Sequence, residues 1–239
     1  MSQPPSPHLR LFNYWQLTYD HRAILVPSRS QRLVALLALR GRQNRARLAG
    51  TLWPDVPEPR AQASLRAAMS VLHRRLPGLI AKDQSDVFLS ETVTVDVAEF
   101  RACADQVLSA QLPDPVTALE HSAIGGGELL PGWYDDWVLV DQERIHQLRL
   151  HVLEALADAL VARGAYAHAL QAALQAVAID PLRESARRSV IMVHLAQGNT
   201  ADAVREYRRF RSLLRDELGV APTHHLIELV QRLGEHLPA

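Results

Sequence analysis

Arg60-Ala-Gln-Ala-Ser-Leu-Arg-Ala-Ala-Met-Ser-Val-Leu-His-Arg-Arg-Leu76 is the stretch on which the fold turns. Leu65, Met69, Leu72 and Leu76 recur at spacings of four, three and four. That period stacks them on one face of a helix, with Ala61 and Ala68 flanking the stripe. The opposite face carries Arg60, Ala63, Ala67, Ser70 and Arg74, with Arg66 and His73 on one shoulder and Arg75 at the end. Small side chains permit close approach to a DNA groove, while Arg and Ser hydrogen-bond bases and phosphates. The same pattern also describes an amphipathic helix with a solvated charged face, so its place in the chain has to separate the two readings.

On the N-terminal side, short aromatic and β-branched runs at 9–13, 15–19 and 23–26 predict a small antiparallel sheet. Pro27-Ser28 ends it, and Ser28 is expected to cap a helix over 29–40 that buries Leu33, Leu36, Leu37 and Leu39 before Gly41. Asn44 is expected to cap a second helix over 45–52, stopped by Trp53-Pro54. Asp55-Val-Pro-Glu-Pro59 reads as a turn, the third helix spans 60–76, and Pro77-Gly78 closes it. Beyond it, extended pieces at 79–82 and 87–89 flank the polar tip Asp83-Gln84-Ser85-Asp86, which is a hairpin pattern. Strand, three helices and hairpin in that order make a winged helix-turn-helix preceded by a small sheet. Phosphate contacts are expected from Asn44, Arg45 and Arg47, where free helix N–H groups also attract anions, and from Lys82, Gln84 and Ser85 on the wing. Arg29 and Arg32 either join them, stay solvated or pair with acidic neighbours.

From Asp96 the pattern is helical almost throughout, with breaks at Pro113, Gly125-Gly126-Gly127, Pro131-Gly132, Gly164, Pro181, Gly198, Gly219 and Pro222. Gly164-Ala-Tyr-Ala-His-Ala-Leu170 aligns with Gly198-Asn-Thr-Ala-Asp-Ala-Val204 at an offset of 34 residues. That period, with Gly at the inter-helix turn, is the tetratricopeptide signature, and Ala169 and Ala203 would let paired helices approach closely. Such arrays present a groove for protein or peptide segments. A plain helical dimerisation or packing domain is the competing reading. The expected fold class is mainly α with small antiparallel sheets: a winged helix over 1–95 followed by an all-α repeat domain over 96–239.

Charge separates the same two halves. Residues 1–95 hold 13 Lys+Arg against 6 Asp+Glu, and residues 96–239 hold 13 against 20, within a chain whose formal net charge is zero. A basic half suits a polyanion and an acidic half a protein partner, although surface charge can also drift apart without function. Fragment 1–95 is therefore expected to bind duplex DNA unaided, and the acidic half to repel it. With 48% apolar and 22% charged residues the chain has a globular composition. The Pro-rich start carries no secretory signal pattern, no run reaches the roughly 18 apolar residues of a membrane span, and Cys103 is the only cysteine. A cytoplasmic protein with no internal disulfide is expected.

Leu48-Ala-Gly-Thr-Leu-Trp-Pro-Asp55, then Leu65-Arg66 and Met69 through Leu76, resemble the winged-helix domain of the Streptomyces antibiotic regulatory protein family. The second half is similar to that family's bacterial transcriptional activator domain in Gly127-Glu-Leu-Leu-Pro-Gly-Trp133, Asp136-Trp137, Asp180-Pro-Leu-Arg-Glu184, Glu206-Tyr207 and Leu214 through Pro222. The resemblance implies a winged helix of response-regulator type that binds direct-repeat DNA near promoters and recruits RNA polymerase, with a homodimer on DNA as one arrangement. It also places Arg66, Ser70 and Arg74 on the recognition helix. His73 stands where the family usually has Arg, which implies a weaker or pH-sensitive phosphate contact there. No Gly-x-x-x-x-Gly-Lys loop follows, so a small stand-alone form is expected.

Catalytic patterns are absent: no Gly-x-Ser-x-Gly elbow, no phosphate-binding loop and no Gly-x-Gly-x-x-Gly after a strand. His224-His225, and His146 with His151, lack the i, i+4 spacing of helical metal ligands, and Asp135-Asp136, Asp141 and Glu143 read as dipole complements near a helix start. No enzyme activity, cofactor or metal is expected. The alternative function is an interaction scaffold whose winged helix contacts protein; the basic outward face of the third helix favours DNA.

Overall fold

The computed structural model describes residues 6–111, 114–120, 124 and 127–234. Strands β1 (Pro7–Arg10), β2 (Gln16–Tyr19) and β3 (Arg22–Ala23) pair antiparallel. Asp20 and His21, both at positive φ, make the two-residue turn between β2 and β3. That backbone matches the twist of a tight hairpin, and Asp tolerates it better than most residues.

Helix α1 (Ser28–Arg40) starts one residue earlier than expected, and Pro27, not Ser28, occupies the cap position with no side-chain cap bond. The Pro27 carbonyl accepts from Ser30 and Gln31 at 2.8 and 2.9 Å, so a side-chain cap is not needed to begin the ladder. Buried Ser30 donates to the Ala68 carbonyl, tying α1 to α3. Strand β4 (Gln43–Asn44) leads into α2 (Arg45–Leu52), which Asn44 caps by accepting from the Ala46 amide at 2.9 Å. Helix α3 (Glu58–Arg75) begins at Glu58 rather than Arg60, because Pro59 in the first turn lacks only an N–H that has no helical acceptor. It stops before Leu76, which precedes Pro77 and is forced out of helical backbone (φ −146, ψ 87).

The wing is β5 (Ile80–Asp83) and β6 (Asp86–Leu89), joined by Gln84-Ser85, with β4 on the other side of β6. Strand β7 (Thr94–Val95) then pairs with β1 in parallel, so the N-terminal sheet is mixed rather than purely antiparallel. Next to it, Asp96 Oδ2 accepts from the amides of Leu11 and Phe12 at 2.8 and 2.9 Å. Those two donors go to a carboxylate and Asn13 turns to positive φ, so β1 ends at Arg10 and not at Asn13. Asp96→Ala should leave two amides without an acceptor and destabilise this unit by about 2–3 kcal/mol in a urea melt. An unchanged midpoint would show that the carboxylate does not hold the strand end.

The chain forms two compact units: Met1–Ala102 with Gly126–Ile145, and Cys103–Gly125 with His146–Ala239. These compact units divide the chain differently from the expected split at 95/96. Helix α4 (Asp96–Leu108) starts in the first unit, where Phe100 sits edge-on to Phe12 with ring centroids 5.8 Å apart. Glu128 and Leu129 return to the end of β1: the Asn13 amide donates to the Glu128 carbonyl and the Leu130 amide to Leu11, both at 2.8 Å. The first residues of helix α6 (Asp136–Ala162) follow α1, where Arg40 donates to Asp141, a carboxylate only 1% exposed, and to the Trp137 carbonyl. Between α4 and α6 lies α5 (Pro115–Glu120). Reassigning these stretches changes the charge reading. The first unit holds 15 Lys+Arg and 13 Asp+Glu, and the second 11 and 13, so a contrast of +7 and −7 shrinks to +2 and −2.

The second unit shows the repeat directly. Helices α7 (Tyr166–Ile179), α8 (Glu184–Ala196), α9 (Thr200–Leu218) and α10 (His224–Gly234) pack each against the next. Gly164 and Gly198 both take positive φ at the turn, which an L side chain resists. Ala165 (φ −83, ψ 57) and Asn199 (φ −84, ψ 59) then enter α7 and α9 with the same backbone. Ala165 N donates to Leu160 O and Asn199 N to His194 O, a pair of bonds again 34 residues apart. Ala169 and Ala203 are fully buried at matching places. Gly125 and Gly126 of the expected linker lie outside the described residues, as does Pro113.

Candidate nucleic-acid interface

Helix α3 is divided cleanly by its packing. Ala61, Leu65, Ala68, Met69 and Leu72 are buried, and α1, α2 and β5 pack around them. Arg60, Ala63, Arg66, Ala67, Ser70, His73, Arg74 and Arg75 are all exposed. After Glu58 in the first turn, α3 contains no acidic residue, so the outward face is uniformly neutral or basic. Arg74 Nη1 reaches Ser70 Oγ at 3.4 Å, one turn back, which holds the guanidinium along the helix face. Alanines at 63 and 67 leave the helix backbone accessible between the arginines.

The other predicted residues form a second group. Strand β4 pairs Gln43 with Val87 and Asn44 with Asp86, and the Arg45 amide donates to the Ser85 carbonyl at 3.0 Å. The start of α2 and the tip of the wing are thereby one place, carrying Asn44, Arg45, Arg47, Gln84 and Ser85, with Lys82 exposed on β5. The Asn44 side-chain oxygen is spent on the α2 cap, leaving its amide group as the donor. Arg47 is exposed, whereas Arg45 is half-buried with its Nε shielded from solvent.

Of the alternatives left open for Arg29 and Arg32, Arg32 takes the pairing with an acidic neighbour, Asp135, and is committed within the protein, while Arg29 is exposed. Sequence reading missed Arg42. Its guanidinium lies 4.1 Å from the centroid of the Phe88 ring and 2.8 Å from Asp83 Oδ2, with Asp86 at 3.9 Å. A cation stacked on one wing strand and paired with both ends of the turn braces the hairpin. It also neutralises carboxylates beside Lys82. The Arg between Gly41 and Gln43 was the available signal, but nothing local says that it reaches residues 41 and 44 positions away.

Other reactive groups are elsewhere. Burial raises the Cys103 thiol above its ordinary pKa, which makes it a poorer nucleophile. Among the described residues no group of three or more His, Cys, Asp or Glu is placed to hold a metal ion, and no helix is long and apolar enough to cross a membrane.

Residues 95–233 match the bacterial transcriptional activator domain. Regulatory protein AfsR of Streptomyces coelicolor is 28% identical over 222 residues, covering 89% of this chain. AfsR of Streptomyces griseus is 29% identical over 221 residues, covering 87%. The chain spans 22% of the length of each of these relatives. Among solved structures, Mycobacterium tuberculosis EmbR, in complex with a low affinity phosphopeptide, superposes with a TM-score of 0.78. That match covers 99% of this chain and 67% of the other at 21% identity, a likeness of fold: winged helix followed by a helical domain. With more than half of its length in the matched region, and with the two-part order that the Streptomyces antibiotic regulatory protein resemblance implies, the chain belongs to the bacterial transcriptional activator domain family of transcription regulators.

Proposed function

We propose that the chain is a sequence-specific DNA-binding transcriptional activator in which α3 enters a major groove. The observation that carries this reading is the exposed, acid-free face of α3, where Arg60, Arg66, Ser70 and Arg74 alternate with alanines. Bidentate Arg contacts distinguish guanine edges, and the small residues allow the helix to sit deep enough for them. Asn44, Arg47, Lys82, Gln84 and Ser85 hold phosphates on either side, and His73 supplies a weaker contact beside them. The local face supports the reading more than the overall charge does, since the unit as a whole carries only a slight positive excess. The helical repeats contact protein, RNA polymerase foremost, and a second copy of the chain on tandem sites. The setting is the cytoplasm.

Selection of duplexes from a random pool by the full chain tests the reading. Enrichment of a repeated motif, with binding that falls steeply as salt rises, is the expected result. No enrichment over many rounds, with no retained duplex at low salt, would remove it.

Within this reading Arg74 and Arg45 divide the labour. Arg74→Ala should weaken the selected site by about 1–3 kcal/mol and random DNA much less. Arg45→Ala should weaken both alike, because a half-buried residue at the wing junction positions the backbone and does not reach a base. Competition gel shifts with both duplexes make the comparison; equal losses from both variants on both duplexes would place α3 outside the groove.

A further inference from the structure

The helical unit, taken by its composition, looks unsuited to nucleic acid. Its positive charge is nevertheless concentrated on α9. Five arginines, Arg205, Arg208, Arg209, Arg211 and Arg215, stand exposed along this one helix, whose inner face buries Ala203, Glu206, Phe210 and Leu214. The acid on the buried side, Glu206, is already paired with Arg187 at 2.5 Å. Arg205 is paired with Asp202 one turn back. Arg215 pairs with its neighbour Asp216 at 3.1 Å, both side chains mostly exposed and so weakly held, and the fourth acid of the helix, Glu217, is exposed next to Asp216.

Arg208, Arg211 and Arg215 recur at three and four residues, so they lie in line along one edge of the helix. The run rises about 10 Å, within reach of successive phosphates on one strand. Nothing apolar punctuates it: among the described residues of α9, no large hydrophobic side chain is exposed before Leu218. A protein partner of specific affinity buries an apolar anchor among its charges, whereas a phosphate backbone is held by donors alone. Arginine also suits phosphate better than lysine would, by its planar pair of donors.

We propose that the edge of α9 formed by Arg208, Arg211 and Arg215 is a second DNA-backbone contact, made by the helical unit. It rests on the DNA-binding reading above and extends it. It adds affinity without sequence preference, and it runs against the expectation that this half repels a duplex.

The test compares the full chain with a variant carrying Arg208→Gln, Arg211→Gln and Arg215→Gln on a long mixed-sequence duplex across a salt series. All three positions are exposed, so an unchanged melting curve should accompany the substitutions. The slope of log affinity against log salt should fall by roughly 2–3 in the variant, near 0.9 for each phosphate released. Replacing the same three residues by Lys should restore most of the slope. An unchanged slope in the Gln variant overturns this proposal while leaving α3 as the reader. Failure of the unaltered chain to bind any duplex overturns both. An unchanged DNA slope with lost retention on poly-glutamate would assign the edge to an acidic protein instead.

Discussion

A fragment ending at residue 95 is expected to lose DNA binding, and one ending at residue 145 to keep it. The shorter fragment contains α3 and the wing but not the parts that complete their core. Val97, Phe100, Leu129 and Leu130 are buried in the first unit, at 2% exposure or less. Each contributes about 1.5–3 kcal/mol, so together they are worth on the order of 10 kcal/mol before any offset for chain ordering. A domain's whole stability is about 5–15 kcal/mol. The shorter fragment also loses Asp96 from the ends of two amides and leaves Arg40 without Asp141. Cooperative thermal melting of fragment 1–145, with none for 1–95, is the expected outcome, and gel shifts should follow the same order. A fragment 1–95 that melts cooperatively and binds as tightly would show that the returning segment is decoration.

Phe210→Ala should be the most damaging single change in the second unit. Phe210 is fully buried between α8, α9 and α10 in a cluster with Ile191, Ala203, Leu214 and Leu226. Its ring also lies under the Arg187 guanidinium, 5.7 Å away, which is in turn held by Glu206. Truncation removes the transfer energy of the ring and leaves a cavity that three helices cannot close, a cost of about 3–5 kcal/mol. Phe210→Leu should cost far less, because it refills most of that volume. Differential scanning calorimetry of the full chain should show the loss in one transition, while binding to a single half-site survives and transcription with purified polymerase does not. Full activation by a Phe210→Ala chain whose helical unit has melted would separate the repeats from activation.

Much of this was legible in order along the chain. Leu65, Met69 and Leu72 announce α3 by spacing alone, Asn44 announces the start of α2, and Gly164 and Gly198 announce the repeat. Each signal acts within a turn or two of helix, where the covalent chain already fixes who meets whom. The outward face of α3 was read from the same geometry, and every residue assigned to it is exposed.

By itself, then, the sequence determined the elements, their sequence of helix and hairpin, the 34-residue repeat and the composition of the α3 face. Tertiary structure decided which segments share a core. Asp96 meets Leu11 across 85 residues, Arg40 meets Asp141 across 101, and Arg32 meets Asp135 across 103. None of these pairs leaves a local mark, because a carboxylate that caps a distant strand looks in sequence like any acid at a helix start. For that reason the size of the charge contrast depends on where the chain is divided. It counted Asp135 and Asp141 against the second half, although both neutralise arginines of the first. Closure of long loops costs only slowly more with their length, so the chain can bring such a segment back whenever the buried surface it offers is large enough.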